Sequence, residues 1–259
     1  MNVSVVLPVL NEIESLSSLI DELKVNLEFV NDWEIIFVDD GSEDSSWDII
    51  IELSKKFKNI SGIRFTKNYG KSQALHAGFK SARGDFIVTL DADLQDSPEE
   101  ITKMIDLLND GYDLISGWKK KRYDSILFKN LPSKLFNWAA RRVSGIKLHD
   151  FNCGIKAYKK EVAKTINIYG EMHRFIPVLA AQEGFNKIGE QIVKHQARQF
   201  GKTKFGSDRF FRGFFDLLTI WFINKFGKRP MHFFGLWGSF MLLIGFAFTA
   251  YLGFEKLFL

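Results

Sequence analysis

The chain has 259 residues, with 35 Lys and Arg against 31 Asp and Glu and a formal net charge of +4. That length allows one substantial core, or one core plus an appendage, and the near balance of charge leaves no electrostatic footprint for nucleic acid. The single cysteine, Cys153, excludes an internal disulfide and suits a reducing compartment.

Val3–Leu7 reads as the first strand. Met1 runs almost directly into it, so no signal peptide is expected. Pro8 is expected to stop the strand ladder, and Asn11-Glu12 to open a helix whose apolar face is Leu16, Leu19, Ile20, Leu23 and Leu27. Glu34–Val38 reads as the second strand, ending in Val38-Asp39-Asp40-Gly41-Ser42. A helix follows with Trp47, Ile50, Ile51 and Leu53, then a strand over Ile60–Phe65. Asn68-Tyr69-Gly70-Lys71-Ser72 precedes a third helix. There Gly70 permits close backbone approach and Lys71 suits a phosphate, with plain capping an equal alternative.

The fourth strand, Phe86–Leu90, runs into Asp91-Ala92-Asp93-Leu94-Gln95. Ser97 reads as an N-cap and Pro98 as a first helical residue, ahead of Ile101, Met104, Ile105 and Leu108. Two carboxylates thus sit just past the carboxyl end of a strand, where open α/β sheets bind ligands. Oxygen ligands at that spacing suit Mg²⁺ or Mn²⁺, with substrate phosphates completing the shell. A polar turn is the plain alternative.

Tyr112–Ser116 reads as a fifth strand, and alternation of strand and helix to this point predicts a mainly parallel sheet covered on both faces. Trp118 to Arg122 reads as a basic loop, Leu131 to Gly145 as an amphipathic helix, and Gly170 to Gly184 as a helix containing Pro177. Ile188–Val193 reads as a late strand and Gly201 to Ser207 as a Gly/Lys loop. Arg209 to Phe226 places Phe211, Phe214, Phe215, Leu218, Trp221 and Phe222 at helical spacing, as in a helix lying in a membrane interface. Phe233 to Phe254 carries no formal charge. As a helix it spans roughly 33 Å, about a bilayer core. Lys225, Lys228 and Arg229 precede it and favour a cytosolic N-terminal side.

In order and spacing, Pro8-x-x-Asn11-Glu12, Asp39-Asp40-Gly41-Ser42 and Asp91-Ala92-Asp93-Leu94-Gln95 resemble glycosyltransferase family 2 and its GT-A nucleotide-sugar fold. Asp150-Phe151-Asn152-Cys153-Gly154-Ile155-Lys156-Ala157-Tyr158 is similar to that family's Asp-x-x-x-Gly-Phe-Arg-Ala-Tyr element. Arg198-Gln199-Phe200-Gly201-Lys202-Thr203-Lys204 is similar to a loop of its polyprenyl-phosphate branch. The resemblance covers residues 3 to about 206 and implies a catalytic domain over 1–207; the aromatic stripe and the uncharged run beyond it read as an interfacial segment over 208–230 and a transmembrane segment over 231–259.

It also implies roles. Pro8, Leu10 and Glu12 would line the base and ribose pocket with Val38 and Asp40 opposite, Asp91 and Ala92 would touch the nucleotide, and Lys71 would serve the donor phosphates. Asp93 and Gln95, with Asp91, would hold Mg²⁺ or Mn²⁺. Arg198 and Lys204 would clamp the donor diphosphate or the acceptor phosphate. Read from the residues alone, Lys119 and Arg122 are candidate cations for the acceptor phosphate, with a solvated loop or attraction to anionic lipid as equal alternatives, and Arg174 is a further candidate beside His173. Leu10 stands where the dolichyl-phosphate mannose synthases of that branch have Tyr, and Lys156 where the family's Gly-Phe-Arg-Ala-Tyr element has Arg. No Gln-x-x-Arg-Trp occurs, and Gly170-Glu171-Met172-His173 stands where elongating members carry a Glu-Asp base. A sugar hydroxyl needs such a base. A phosphate monoester, with a second pKa of about 6, does not.

The expected protein is therefore an inverting, metal-dependent hexosyltransferase at the cytosolic face of the cell membrane. Its expected donor is a nucleotide sugar of the GDP-mannose or UDP-glucose type, its acceptor a polyprenyl phosphate, and a homo-oligomer is possible. Asp150 and Glu171 are the carboxylates to nominate as bases. The rivals are a transferase with a sugar-hydroxyl acceptor and a non-catalytic nucleotide-sugar-binding module. A dinucleotide oxidoreductase is disfavoured because no Gly-x-Gly-x-x-Gly follows the first strand.

Overall fold

The computed structural model describes residues 1–120, 131–196, 215, 218–219, 221–223, 225–227 and 229–258. Seven strands form one sheet: β1 (Asn2–Val9), β2 (Asp32–Asp39), β3 (Ile60–Arg64), β4 (Phe86–Thr89), β5 (Leu114–Trp118), β6 (Lys156–Lys159) and β7 (Ile188–Ile192). Between and after them run α1 (Ile13–Asn26), α2 (Ser46–Lys56), α3 (Lys71–Ser81), α4 (Glu100–Asn109), α5 (Leu131–Ser144), α6 (Lys160–Thr165), α7 (Ile176–Gln182) and α8 (Pro230–Phe258).

The spatial order is β3-β2-β1-β4-β6-β5-β7. Pairing is parallel except at β6, which runs antiparallel to both β4 and β5. The mainly parallel GT-A-like α/β sheet expected from sequence is thus present. β6 was not read as a strand, because four residues with lysines at both ends carry no periodic signal.

Alternation along each strand divides the core. Val3, Val5, Leu7 and Val9 of β1, with Ile35 and Phe37 of β2, face one apolar layer alongside Leu16, Ile50 and Met104. Val6, Ile36, Val38, Ile87 and Tyr158 face the other, alongside Leu75, Phe79, Ala140 and Phe175. This is the period-two signature of strands covered on both faces. On α2, Trp47, Ile49 and Leu53 pack beside the core, Ile49 taking the place expected of Ile51.

Three local expectations are corrected. Pro8 does not end β1 but pairs in register with Val38. The Val6 carbonyl accepts from Leu90 on the β4 side and the Val9 carbonyl from Asp40 on the β2 side. Alternation therefore aims Pro8 toward β4 beyond its last rung, where a missing N–H costs nothing. Helix α4 begins at Glu100 rather than Pro98. An antiparallel bridge between Asp96 and His195 holds the preceding chain extended. Met172–Phe175 is a 3₁₀ turn, and Pro177 lies in the first turn of a separate α7 rather than inside one long helix.

Candidate active site

Strands β1, β2 and β3 run outward in one direction, and β4 lies on the other side of β1. The chain therefore reverses order between β1 and β4, and the carboxyl ends of those strands flank the crevice where open α/β sheets bind ligands. Leu10–Glu12 leaves one side and Asp91–Gln95 the other. Ser15 joins the two loops, its hydroxyl donating to the Ala92 carbonyl at 2.5 Å and the Glu12 carbonyl at 2.9 Å.

The β1 and β2 loops are cross-tied. Asn11, at φ 52°, accepts the Glu43 N–H through its side-chain oxygen at 2.8 Å and donates its own N–H to Ser42 at 2.9 Å. The Glu12 N–H donates to Ser46. Asp40 is buried and accepts the Tyr69 N–H at 2.7 Å and the Gly70 N–H at 2.9 Å. Burial holds its carboxyl above the usual range, against the pull of those two donors. Asp40 thus fixes the loop that delivers Lys71, a structural task beside any ligand contact. Gly41, at φ +76°, would place a Cβ 2.6 Å from the Lys67 carbonyl carbon, so only glycine fits.

Asp91 is the electrostatic centre. The Lys71 ammonium, at the start of α3, is ion-paired with its Oδ1. Burial pushes the Asp91 carboxyl up, but Lys71, helped by Lys119 and Lys156, brings it down to about 2. Gly154 lies against this carboxylate, and a Cβ there would stand 2.5 Å from Oδ2. The glycine of the Asp150–Tyr158 motif is thus required by Asp91.

Asp93 is buried, and its Oδ1 accepts the Gln95 N–H at 3.2 Å. Leu94 between them takes φ 57°. Among the described residues no three His, Cys, Asp or Glu side chains form a ready metal cage. Asp91, Asp93 and Gln95 instead offer hard oxygen donors on one tight turn. That set fits Mg²⁺ or Mn²⁺ in the manner of sites completed by substrate phosphates.

Lys119 is no solvated loop cation. Its side chain is 13% exposed and its ammonium lies 2.5 Å from buried Asp96. Burial alone would lower the ammonium's pKa, yet Asp96 raises it, so Lys119 stays charged. Lys156 is buried and donates to the Cys153 carbonyl. Burial pushes its pKa down and the Cys153 thiol's up. His173 Nδ1 meets the Ser72 hydroxyl at 3.1 Å, and that hydroxyl accepts the His173 N–H at 3.0 Å. Burial, with Lys71 next, holds His173 well below the ordinary histidine value, hence neutral. Lys71, Asn152, Gly154, Lys156 and His173 line one narrow cavity. Asp150 is buried and accepts the Asn152 N–H at 3.1 Å. Arg198, Lys204 and Arg122 lie outside the described residues, as does most of the expected 209–226 helix.

Sequence reasoning missed Asp96, His173 as a partner of Ser72, and the Lys71–Asp91 pair. Only Asp96 had a local signal, its place directly after Gln95.

Residues 4–166 match Glycosyl transferase family 2. The chain belongs to that family. It is 36% identical to the dodecaprenyl-phosphate galacturonate synthase of Rhizobium johnstonii, over 99% of this chain and 77% of that protein. It is 38% identical to the undecaprenyl-phosphate 4-deoxy-4-formamido-L-arabinose transferase of Pectobacterium carotovorum, over 100% and 77%. Among solved structures, glucosyl-3-phosphoglycerate synthase of Mycobacterium tuberculosis with UDP superposes with a TM-score of 0.66 at 20% identity, covering 85% of this chain and 79% of that one. The same enzyme with Mn²⁺, UDP-glucose and phosphoglyceric acid gives 0.63 at 18%, covering 86% and 79%. These neighbours share the GT-A-like fold of this family 2 chain, and the curated relatives are polyprenyl-phosphate sugar transferases.

Proposed function

We propose that this family 2 member transfers a hexose, with inversion, from a nucleotide sugar of the GDP-mannose or UDP-glucose type to a polyprenyl phosphate at the cytosolic membrane face. The observation that carries the acceptor is similarity, over 99–100% of this chain and 77% of each relative, to polyprenyl-phosphate transferases in a chain whose α8 is long and apolar enough to cross a membrane. In this reading residues 1–207 are catalytic, 208–230 interfacial and 231–259 membrane-spanning.

Pro8, Leu10, Glu12, Val38 and Asp40 hold the base and ribose, and Asp91 and Ala92 the nucleotide. Asp93 and Gln95, with Asp91, would hold Mg²⁺ or Mn²⁺, whose charge would neutralise a leaving nucleoside diphosphate. Lys71 exchanges its ion pair with Asp91 for the donor phosphates. Arg198 and Lys204, with Lys119, Arg122 and Arg174, screen charge where donor and acceptor anions meet.

A phosphate dianion needs orientation rather than deprotonation. The test compares single-turnover rates of Asp150→Asn, Glu171→Gln, Arg198→Ala and Lys204→Ala with a short polyprenyl phosphate. The cation variants should lose more than the carboxylate variants, and the rate should rise with pH through about 6 and plateau. Loss above ~10⁴ in either carboxylate variant alone, with the cation variants active, would overturn the base-free mechanism. Product on a free sugar hydroxyl, with none in the lipid fraction, would establish an elongase instead.

A further inference from the structure

His173 lies in the 3₁₀ turn ahead of α7 and is tied twice to Ser72, the second residue of α3. The Ser72 hydroxyl accepts the His173 N–H at 3.0 Å and lies 3.1 Å from Nδ1. Ser72 is fully buried. With a proton on Nδ1, that one oxygen would accept twice. The serine's own proton would then have no partner among the described residues, a costly arrangement in a buried site. With Nδ1 bare, the serine proton closes the pair. Glu171 stands 3.9 Å from Nδ1, beyond hydrogen-bond reach. Burial, and then Lys71, Arg174 and Lys156, oppose a second ring proton. The single ring proton therefore sits on Nε2.

His173 borders a cavity of about 10 Å³ together with Lys71, Asn152, Gly154, Lys156 and Tyr158. That is room for one water-sized group. One hydroxyl fits, whereas a phosphate or a carboxylate, with several oxygens, does not. Lys71 is drawn to Asp91 and Lys156 to the Cys153 carbonyl. The His173 ring, in contrast, is hydrogen-bonded only through Nδ1 among the described residues. Lys71 and Gly154 border the cavity and also touch Asp91, so the cavity adjoins the crevice at the end of β4.

We propose that this cavity is a subsite for a single hydroxyl of the transferred sugar, with His173 Nε2–H donating to that hydroxyl and the Asn152 side-chain oxygen accepting from it. The inference rests on the nucleotide-sugar reading and adds a specificity-determining contact to it. A neutral donor among lysines supplies direction rather than charge. It selects where the sugar carries an oxygen and leaves the diphosphate to the cations.

Two substitutions separate the two ends of the ring. Asparagine puts an oxygen near the Nδ1 position and keeps the Ser72 bond, but offers no donor at Nε2. Glutamine reaches the Nε2 position with its N–H group and gives up Ser72. Titration calorimetry on full-length protein in detergent with Mn²⁺ compares UDP with UDP-glucose and GDP with GDP-mannose. His173→Asn should weaken nucleotide-sugar binding roughly three- to tenfold, the scale of one neutral hydrogen bond, and leave the free diphosphate unchanged. His173→Gln should keep most of the wild-type sugar affinity. Long-range proton–nitrogen NMR with isotope-labelled histidine should show the Nε2–H tautomer for the signal that His173→Gln removes. An Nδ1–H pattern would overturn the subsite. So would the reverse order of the two variants, which would make the ring a clamp on Ser72 alone. Equal losses for diphosphate and nucleotide sugar would put His173 on the nucleotide and also overturn it. A wild-type protein that binds none of the four would remove the nucleotide-sugar reading itself, and the subsite with it.

Discussion

Asp91 shows how one side chain can be constrained from three directions. Lys71 neutralises it, Gly154 leaves it room, and the interior cations Lys119 and Lys156 keep it ionised. Gly154→Ala should push the carboxylate away from Lys71 and lower the transfer rate on the order of 10²-fold, the scale of an ångström-level misplacement. The melting temperature should change little, so a thermal scan beside the assay separates the site effect from unfolding. Asp93→Asn should remove a charged oxygen ligand and lower the rate by about 10²–10³. Titration of Mn²⁺ with nucleoside diphosphate should show weakened binding, and full wild-type activity in excess EDTA would refute the metal assignment. At the opposite end of the sheet, Glu34 accepts the Ser4 hydroxyl at 2.6 Å and the Arg83 N–H at 2.7 Å, with Arg83 Nη2 at 2.8 Å. Burial pushes Glu34 upward, but these partners together bring it below its ordinary 4.5. The unfolded chain therefore binds that proton more readily. The stabilisation is complete above pH 4.5 and is lost as pH falls through the lower folded value. The stability gap between wild type and Glu34→Gln, about 1 kcal/mol near neutrality, should close as pH drops below 4.5 in urea melts.

Among the elements, α3 carries the tightest constraint. A Cβ on Gly78 would stand 2.2 Å from Val6 Cγ1 in the middle of β1. A β-branched valine in a central strand cannot swing away, so α3 must move off the sheet or strain. Gly78→Ala should cost about 1–3 kcal/mol by overpacking, despite the better helix propensity of alanine. Because Lys71 opens the same helix, the donor KM should rise as well. Denaturant midpoints and steady-state kinetics on one preparation check both. Strand β6 has a comparable role. Its antiparallel course between β4 and β5 brings Gly154 back over the end of β4, where the Thr89 hydroxyl donates to the Gly154 carbonyl at 3.0 Å.

At the scale of the whole molecule, the seven-stranded sheet is followed, among the described residues, by one helix that is long, apolar and unburied. Lys225, Lys228 and Arg229 before it should keep the catalytic domain cytosolic. A cysteine at Lys120, exposed on the catalytic domain, should resist impermeant maleimide in intact cells and react after permeabilisation. Labelling from outside would reverse the topology.

The sequence by itself determined the α/β class, the strand-end loops that form the candidate site and the apolar helix. Strand and helix periods, and motifs at strand ends, are local properties of a few neighbouring residues. Asp91-Ala92-Asp93 could be placed past a buried strand without any coordinates, because Phe86–Leu90 announces that strand and Ile101–Leu108 the helix beyond it. Only the tertiary structure decided which charges meet. Lys71 and Asp91 lie 20 residues apart, and Ser72 and His173 lie 101 apart. Both pairings depend on the sheet order, which places the ends of β1 and β4 side by side and reverses β6 between β4 and β5. The burial of Lys119 and Lys156 was hidden for the same reason. A lysine's sequence neighbours do not show whether a buried carboxylate such as Asp96, or a carbonyl such as that of Cys153, waits to receive it.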